Sequence, residues 1–409
     1  MKKFTIFILI AFILFIHACN TYTPASKVNI SSSYKPSERN YHPDISFYNN
    51  SKDSITIFLK QHRAELKYDD YLSSRLKIKL EILSGYNSDE IIDSIPIMIY
   101  DTLDGSKGNY LKLRKSFQLA SGSDYIIKTT LHDINEKKKN NFYHSISKEN
   151  AYERDFFEIL DKNGNHRYSD IINSTDSFKI RYEHTPYVYV RYFGQEFESP
   201  RPPYLNAKEE NPYLKTDSIF RIPLEDGLTK TLNFSKNGIY HIQADTSQKA
   251  GYTVFHFQDN YPSISSPDEM LPPLRYIATS REYKKLKESK NIKEAIDDFW
   301  LNISGNPDRA RVMIRNYYTR VEKANRLFYT HKAGWKTERG MVYIVMGAPT
   351  IVYRSNNAES WIYGESAKYN ALKLDFTKVK NPFTENDYSL NRSPIYKDEW
   401  FFAIDIWRR

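Results

Sequence analysis

Arg75-Leu76-Lys77-Ile78-Lys79-Leu80-Glu81-Ile82 alternates charged and aliphatic residues without a break. A strict period of two puts Leu76, Ile78, Leu80 and Ile82 on one face of an extended strand and the charges on the other. That texture belongs to a sheet with one dry and one wet face. Runs of the same kind surround it at 54–59, 91–100, 110–119 and 125–131, separated by turn signals such as Asp104-Gly105 and Ser121-Gly122-Ser123. The densest basic run, Lys137-Lys138-Lys139, falls in a hairpin loop. Short strands at close intervals with no helical period predict an antiparallel, Ig-like β-sandwich over residues 41–150.

A second β-rich block follows at 151–265, with candidate strands at 178–182, 187–193, 219–224, 229–234, 238–244 and 252–257. It reads as another all-β antiparallel sandwich. A Pro-rich stretch from Pro200 to Asp217 interrupts it, and loops of such length are either functional and mobile or disordered insertions. Ser265-Ser266-Pro267 and Leu271-Pro272-Pro273 then mark a change of texture. Segments 281–289 and 291–302 read as short helices. Asn306-Pro307-Asp308 supplies an N-cap, a Pro at the first helical position and an acid in the first turn. Ile314, Tyr317, Val321, Ala324 and Phe328 continue from it as one apolar stripe, and Gly334 is placed to cap the helix. Beyond lie candidate strands at 341–346, 361–363, 372–376 and 401–406. The expectation is an α/β (α+β) domain over 266–409, helices first and a compact sheet after.

The chain has 409 residues, 40% hydrophobic and 27% charged, which excludes a disordered protein. At about 150 residues per domain it has room for three. The amino terminus carries Lys2-Lys3, an apolar run over 4–16, and then His17-Ala18-Cys19. A basic start and a short apolar core define a secretory signal peptide over residues 1–18. Cys19 is the only cysteine, so it has no disulfide partner within the chain. Ile16-His17-Ala18-Cys19 resembles a bacterial lipobox, which implies lipidation of Cys19 and attachment to the membrane. Residues 19–40 then read as a flexible polar tether. No acidic residue follows Cys19 before Glu38, and the resemblance to bacterial lipoproteins then implies the periplasmic face of the outer membrane. The formal net charge is +9, but export removes nucleic acid from the possible partners.

Gly334-Trp335-Lys336-Thr337-Glu338-Arg339-Gly340, followed by 341–349, resembles the GWxTD domain of Bacteroidota-type envelope proteins. Phe299-Trp300, Tyr318-x-Arg320-Val321, Ala324-Asn325-x-x-Phe328 and Glu359-Ser360-Trp361-x-Tyr363 match the same family, over roughly residues 271–409. Glu338 stands where the family carries Asp. The resemblance implies an envelope lipoprotein with a β-rich amino-terminal region and brings no reaction with it. Read locally, Gly334 supplies a positive-φ turn, Trp335 buries its ring under the helix, and Thr337 bonds a neighbouring amide. Glu338 has Arg339, Arg320 or Lys332 within reach. Together with Gly340 and Trp361 these residues read as a structural or binding clasp rather than a catalytic centre.

Other chemistry is sparse. Asp161-Lys162-Asn163-Gly164-Asn165 opens like a calcium loop, but His166 replaces the sixth-position glycine and Ile172 the twelfth-position acid, which leaves an Asn-Gly turn. The histidines form no His-x-x-His pair, and no nucleophile elbow or phosphate-cradling loop is present. No metal, cofactor or catalytic residue is expected. The expectation is a binding or scaffolding subunit of the cell envelope with a protein partner. The alternatives are an accessory subunit of an outer-membrane export or assembly machine and a periplasmic enzyme acting on glycan or peptidoglycan. Cys19→Ser is expected to abolish acylation and leave either unprocessed precursor or soluble product, told apart by size and by a detergent-phase partition assay. Unchanged partition, with no other anchor found, would rule the lipid attachment out.

Overall fold

The computed structural model describes residues 24–35, 43–88, 90–104, 108–206, 214–364 and 371–409. The signal peptide, Cys19, Glu38, Gly105 and the centre of the Pro-rich stretch lie outside these residues. Seven strands fill the first region: β1 (Asp44–Ser51), β2 (Ser54–His62), β3 (Ser73–Leu83), β4 (Ile91–Thr102), β5 (Tyr110–Gln118), β6 (Asp124–Asp133) and β7 (Lys138–Ser147). They form antiparallel sheets in the orders β1-β2-β5 and β4-β3-β6-β7. The alternation in β3 does what its period requires. Leu76, Ile78, Leu80 and Ile82 are at most 1% exposed and share one core with Ile55, Ile57 and Leu59 of β2 and Ile127 and Leu131 of β6. On the other face, Glu81 is paired with Lys79 and Lys128. Two sheets closed over one apolar layer make a sandwich-like unit.

The second region contains β8 (Glu158–Asp161), β9 (Phe178–Arg181), β10 (Tyr187–Phe193), β11 (Ser218–Pro223), β12 (Gly238–Gln243) and β13 (Tyr252–His256). A four-stranded antiparallel sheet, β11-β10-β12-β13, shares a core with the β8-β9 pair through Val188, Val190, Ile242 and Val254 against Ile159, Phe178 and Ile180. The candidate strand 229–234 forms only an isolated bridge, Phe178 with Leu232, and a second, Arg181 with Leu228, lies just ahead of it. Its Thr229 hydroxyl occupies the Ile180 amide at 2.9 Å, so a side chain does part of the work of a ladder.

The carboxy-terminal region is helical first: α1 (Pro267–Met270), α2 (Ser280–Glu288), α3 (Ile292–Ser304), α4 (Pro307–Phe328) and α5 (Glu338–Met346). An antiparallel meander follows, β14 (Ile351–Arg354), β15 (Ala358–Tyr363), β16 (Leu372–Lys378) and β17 (Tyr388–Leu390), and after it comes α6 (Lys397–Arg408). The stripe on α4 is buried as its spacing requires, with Tyr317, Val321, Ala324 and Phe328 all at 0% exposure. Two expected strands are helices instead. Segment 341–346 is apolar on every side, and such a run has no period to read. It belongs to α5, whose Met341 to Val345 are buried all round, as in a core helix. Segment 401–406 lies in α6, where Trp400, Ala403 and Trp407 repeat at helical spacing toward the core. No described helix is long and apolar enough to cross a membrane.

The expected tether is partly a strap. Residues 24–35 are ordered, and Ala25, Ile30 and Tyr34 enter the core of the carboxy-terminal region. The Ile30 amide donates to Val352 O at 2.9 Å, and the Asn29 side chain accepts from the Val352 amide at 2.9 Å. The strap thereby covers the open edge of β14, which would otherwise present unpaired backbone groups. Its composition is polar, but three apolar side chains in one short segment suffice to hold it. Tyr34→Ala removes a buried ring and is expected to cost on the order of 3–5 kcal/mol. In calorimetry the carboxy-terminal transition should drop further than that of the first sandwich-like unit, which shares Leu83, Ile126 and Tyr143 with this core but keeps a main core of its own.

Candidate functional site

The Gly334–Lys336 turn lies directly on α4. A Cβ at Gly334 would sit 2.0 Å from the Ala324 carbonyl oxygen, and one at Gly340 would sit 1.9 Å from the Gly334 carbonyl oxygen. Both glycines therefore serve close approach. The expected roles of Gly334 are corrected on two counts: it has no positive φ, and α4 already ends at Phe328, with Tyr329 extended. The positive φ, 86°, belongs to Gly347, which terminates α5.

The amides and carbonyls of Gly334 and Trp335 all have partners. The Gly334 amide donates to the Tyr261 hydroxyl at 3.0 Å, which in turn donates to Asn325 O at 2.7 Å. Asn325 accepts from the Trp335 amide at 3.0 Å and donates to Pro262 O at 3.0 Å. Tyr276 donates to Trp335 O at 2.7 Å. Thr337 N-caps α5: its hydroxyl donates to Gly334 O at 2.8 Å and accepts from the Gly340 amide at 3.0 Å. The Trp335 ring is buried.

Glu338 pairs with none of the three cations expected for it. Its carboxylate binds Arg392 at 2.5 and 3.1 Å, the Ser389 hydroxyl at 3.3 Å, and the Leu390 amide. Because α5 is a helix, Glu338 faces the end of β17 while Arg339 turns inward. Arg392 goes on to donate to Arg201 O, Pro202 O and Leu205 O at 2.9, 2.6 and 3.1 Å. The described start of the Pro-rich stretch is thus docked on the carboxy-terminal region. The Glu338–Arg392 pair is mostly shielded, with side-chain exposures of 17% and 7%.

Arg339 and Trp361 meet at a residue to which the motif assigns no role. Glu359 is fully buried on β15. Its Oε1 accepts from the Tyr34 hydroxyl at 2.9 Å and from Trp361 Nε1 at 2.6 Å. Its Oε2 accepts from Arg339 Nη1 at 3.2 Å and from Arg354 Nε at 2.9 Å. Arg339 also holds Asn386 through its carbonyl and side chain, at 2.7 and 2.5 Å, and stacks 4.2 Å over the Tyr388 ring. Burial pushes the Glu359 carboxyl up, but Arg354 and Arg339, with the two hydrogen bonds to Oε1, outweigh it and hold the pKa at about 2. Glu359, Arg354 and Tyr34 cannot be read as partners from the sequence, since only folding brings them beside Arg339.

Two cavities open elsewhere. One of about 600 Å³ lies where all three regions meet, lined by Asp155, Asp170, Arg154, Arg354, Tyr329 and His144 among others. There burial pushes Asp155 up to about 7, against the pull of Arg154. The other, of about 630 Å³, lies between α4 and α6. Glu338 lines neither. Among the described residues no group of three His, Cys, Asp or Glu could hold a metal ion. In the calcium-like loop, Asp161 is occupied by the Asn163 and Asn165 amides at 2.8 and 2.9 Å. His166 instead joins the first two regions, stacked 3.6 Å from Phe58 and bonded to Ser46 at 2.8 Å.

Residues 238–409 match the family model of the GWxTD domain, a match that begins at β12, ahead of the boundary expected at 266. This supports placing the carboxy-terminal part of the chain in that domain family. No curated protein matches the sequence. Among solved structures, red sea bream transglutaminase aligns at 6% identity over 54% of this chain and 32% of that one, with a TM-score of 0.19. The chain spans about a third of that structure's length, and a likeness this slight carries no weight for fold or function.

Glu359→Gln leaves the buried Arg339 and the half-buried Arg354 guanidinium groups facing a neutral amide and is expected to cost about 3–5 kcal/mol. The wild-type carboxyl titrates lower in the folded state than its ordinary 4.5. Its stabilisation is therefore complete above pH 4.5 and is lost as pH falls toward about 2. Denaturant titrations of both proteins from pH 7 to 3 should show the gap between them closing at the acid end.

Proposed function

We propose that the chain is a lipid-anchored outer-membrane protein of the Bacteroidota type, facing the periplasm and acting as a binding or scaffolding subunit. On this reading residues 41–150 and 151–265 are Ig-like sandwiches carried beside a GWxTD domain. The lipobox-like Ile16 to Cys19 supports the anchor. One observation carries the non-catalytic part. The polar side chains of the motif, Thr337, Glu338 and Arg339, are all bonded within the chain, and Glu338 lines neither of the two cavities above. A catalytic acid or base needs its reacting proton within hydrogen-bond reach of a bound substrate. An accessory subunit of an export or assembly machine is the same reading with a larger partner.

A second reading, an envelope enzyme, draws on Asp155, a buried carboxyl with a pKa of about 7 on the central cavity. Complementation separates the two. Asp155→Asn is expected to leave in vivo function within about twofold of wild type. Glu338→Gln weakens charge-assisted hydrogen bonds worth about 1.5–3 kcal/mol each and should reduce function only as far as it reduces the amount of folded protein. An Asp155→Asn protein that is stable, abundant and inactive would favour the enzyme.

A further inference from the structure

The second cavity is a groove with unlike walls. Arg309, Met313, Asn316, Arg320 and Lys323 step along α4 at intervals of four, three, four and three, which is one helical face. Opposite them α6 presents Phe402 and Ile406, 59% and 64% exposed, and Met346 and Gly347 contribute to the floor. Arg320 sits at the bottom. It donates to Ile344 O and Val345 O at 3.2 and 3.1 Å, closing the end of α5, and lies 4.7 Å over the Trp407 ring. Gly347 leaves it room, since a Cβ there would come within 3.2 Å of the guanidinium. Among the described residues Arg309, Arg320 and Lys323 hold no ion pair. The α4 sequence has six basic residues against two acidic, so its field favours an anionic occupant.

The shape and the charges choose between occupants. A bilayer surface is met by an apolar face backed by basic residues. Here Phe402 and Ile406 wall a concavity, and α6 with the following Arg409 balances Lys397, Arg408 and Arg409 against Asp398, Glu399 and Asp405. From Arg309 to Lys323 the α4 wall runs roughly 21 Å at 1.5 Å per residue, about four helical turns. Helices that lie in such grooves present apolar anchors at i, i+3, i+4 and i+7. We infer that the α4–α6 groove docks an acidic amphipathic helix of a partner protein, its apolar stripe on Phe402, Ile406 and Met346 and its carboxylates on Arg309, Arg320 and Lys323. The inference rests on the binding-subunit reading and names the partner's chemistry.

A photo-crosslinking amino acid placed at Phe402 in the full chain, in its native cells, tests it. The same amino acid at Tyr100, on the exposed edge strand β4, serves as control. The expected result is a Phe402 adduct with one protein, mapped to a segment whose acids recur every three or four residues beside apolar ones. The Arg309→Glu, Lys323→Glu double variant should lower the yield at least tenfold while its thermal unfolding stays unchanged. An adduct with lipid, with a second copy of this chain or with a basic segment would overturn the inference, as would a yield indifferent to the charge reversal. Capture of a partner at Tyr100 but not Phe402 would overturn the groove and leave the binding-subunit reading standing. No adduct at either position, with the variants folded and active, would overturn both.

Discussion

A carboxylate with no access to water must be surrounded by donors, and Glu359 is surrounded by four from different parts of the chain. Tyr34 comes from the amino-terminal strap, Arg339 from the first turn of α5, and Arg354 and Trp361 from neighbouring strands of the meander. An ion of this size in an apolar interior costs several kcal/mol unless it is paired and hydrogen-bonded throughout. The arrangement is thus close to all-or-none: a packing in which one donor is missing leaves charge exposed to hydrocarbon. Arg339 extends the constraint to Asn386, and Asn386 holds the carbonyls of Leu327 and Tyr329 at the end of α4. One buried charge in this way fixes helix, sheet and strap relative to one another.

The glycine–tryptophan segment supports this centre from the side. Gly334 and Gly340 let three backbone stretches pass at distances no side chain allows, and Thr337 starts α5 so that Arg339 points inward and Glu338 outward. The neighbouring carboxylates have opposite duties. Glu359 neutralises cations in the interior, while Glu338 ties Arg392, and through it the start of the Pro-rich stretch, to the outside of the same region. Glutamate in the place of aspartate suits a tether that must reach as far as Arg392 and the Leu390 amide.

Much of the fold is legible in the sequence because its signal is periodic. The alternation of β3 and the stripe of α4 carry their own buried faces in the order of their residues, and the caps Asn306 and Thr337 are local. Segment 341–346 misleads for the opposite reason: burial on all sides erases the period that would distinguish helix from strand. Within the site, Arg339 and Trp361 stand out by motif, but their shared partner Glu359 enters it only as a flanking residue. Tyr34 and Arg392 carry no local signal at all, since a tyrosine in a polar segment or an arginine in a loop looks the same whether docked or free.

The separation of Tyr34 and Glu359 along the chain has a bearing on biogenesis. The strap that completes the carboxy-terminal core leaves the ribosome 325 residues ahead of the carboxylate it must meet. At about 5–20 residues per second, roughly 16–65 s separate their synthesis. Through that interval Ala25, Ile30 and Tyr34 have no native surface to cover, while the two β-rich regions can already close on their own cores. The carboxy-terminal core therefore cannot close before Glu359 has been made, and until then the apolar side chains of the strap lack the surface they cover in the finished fold.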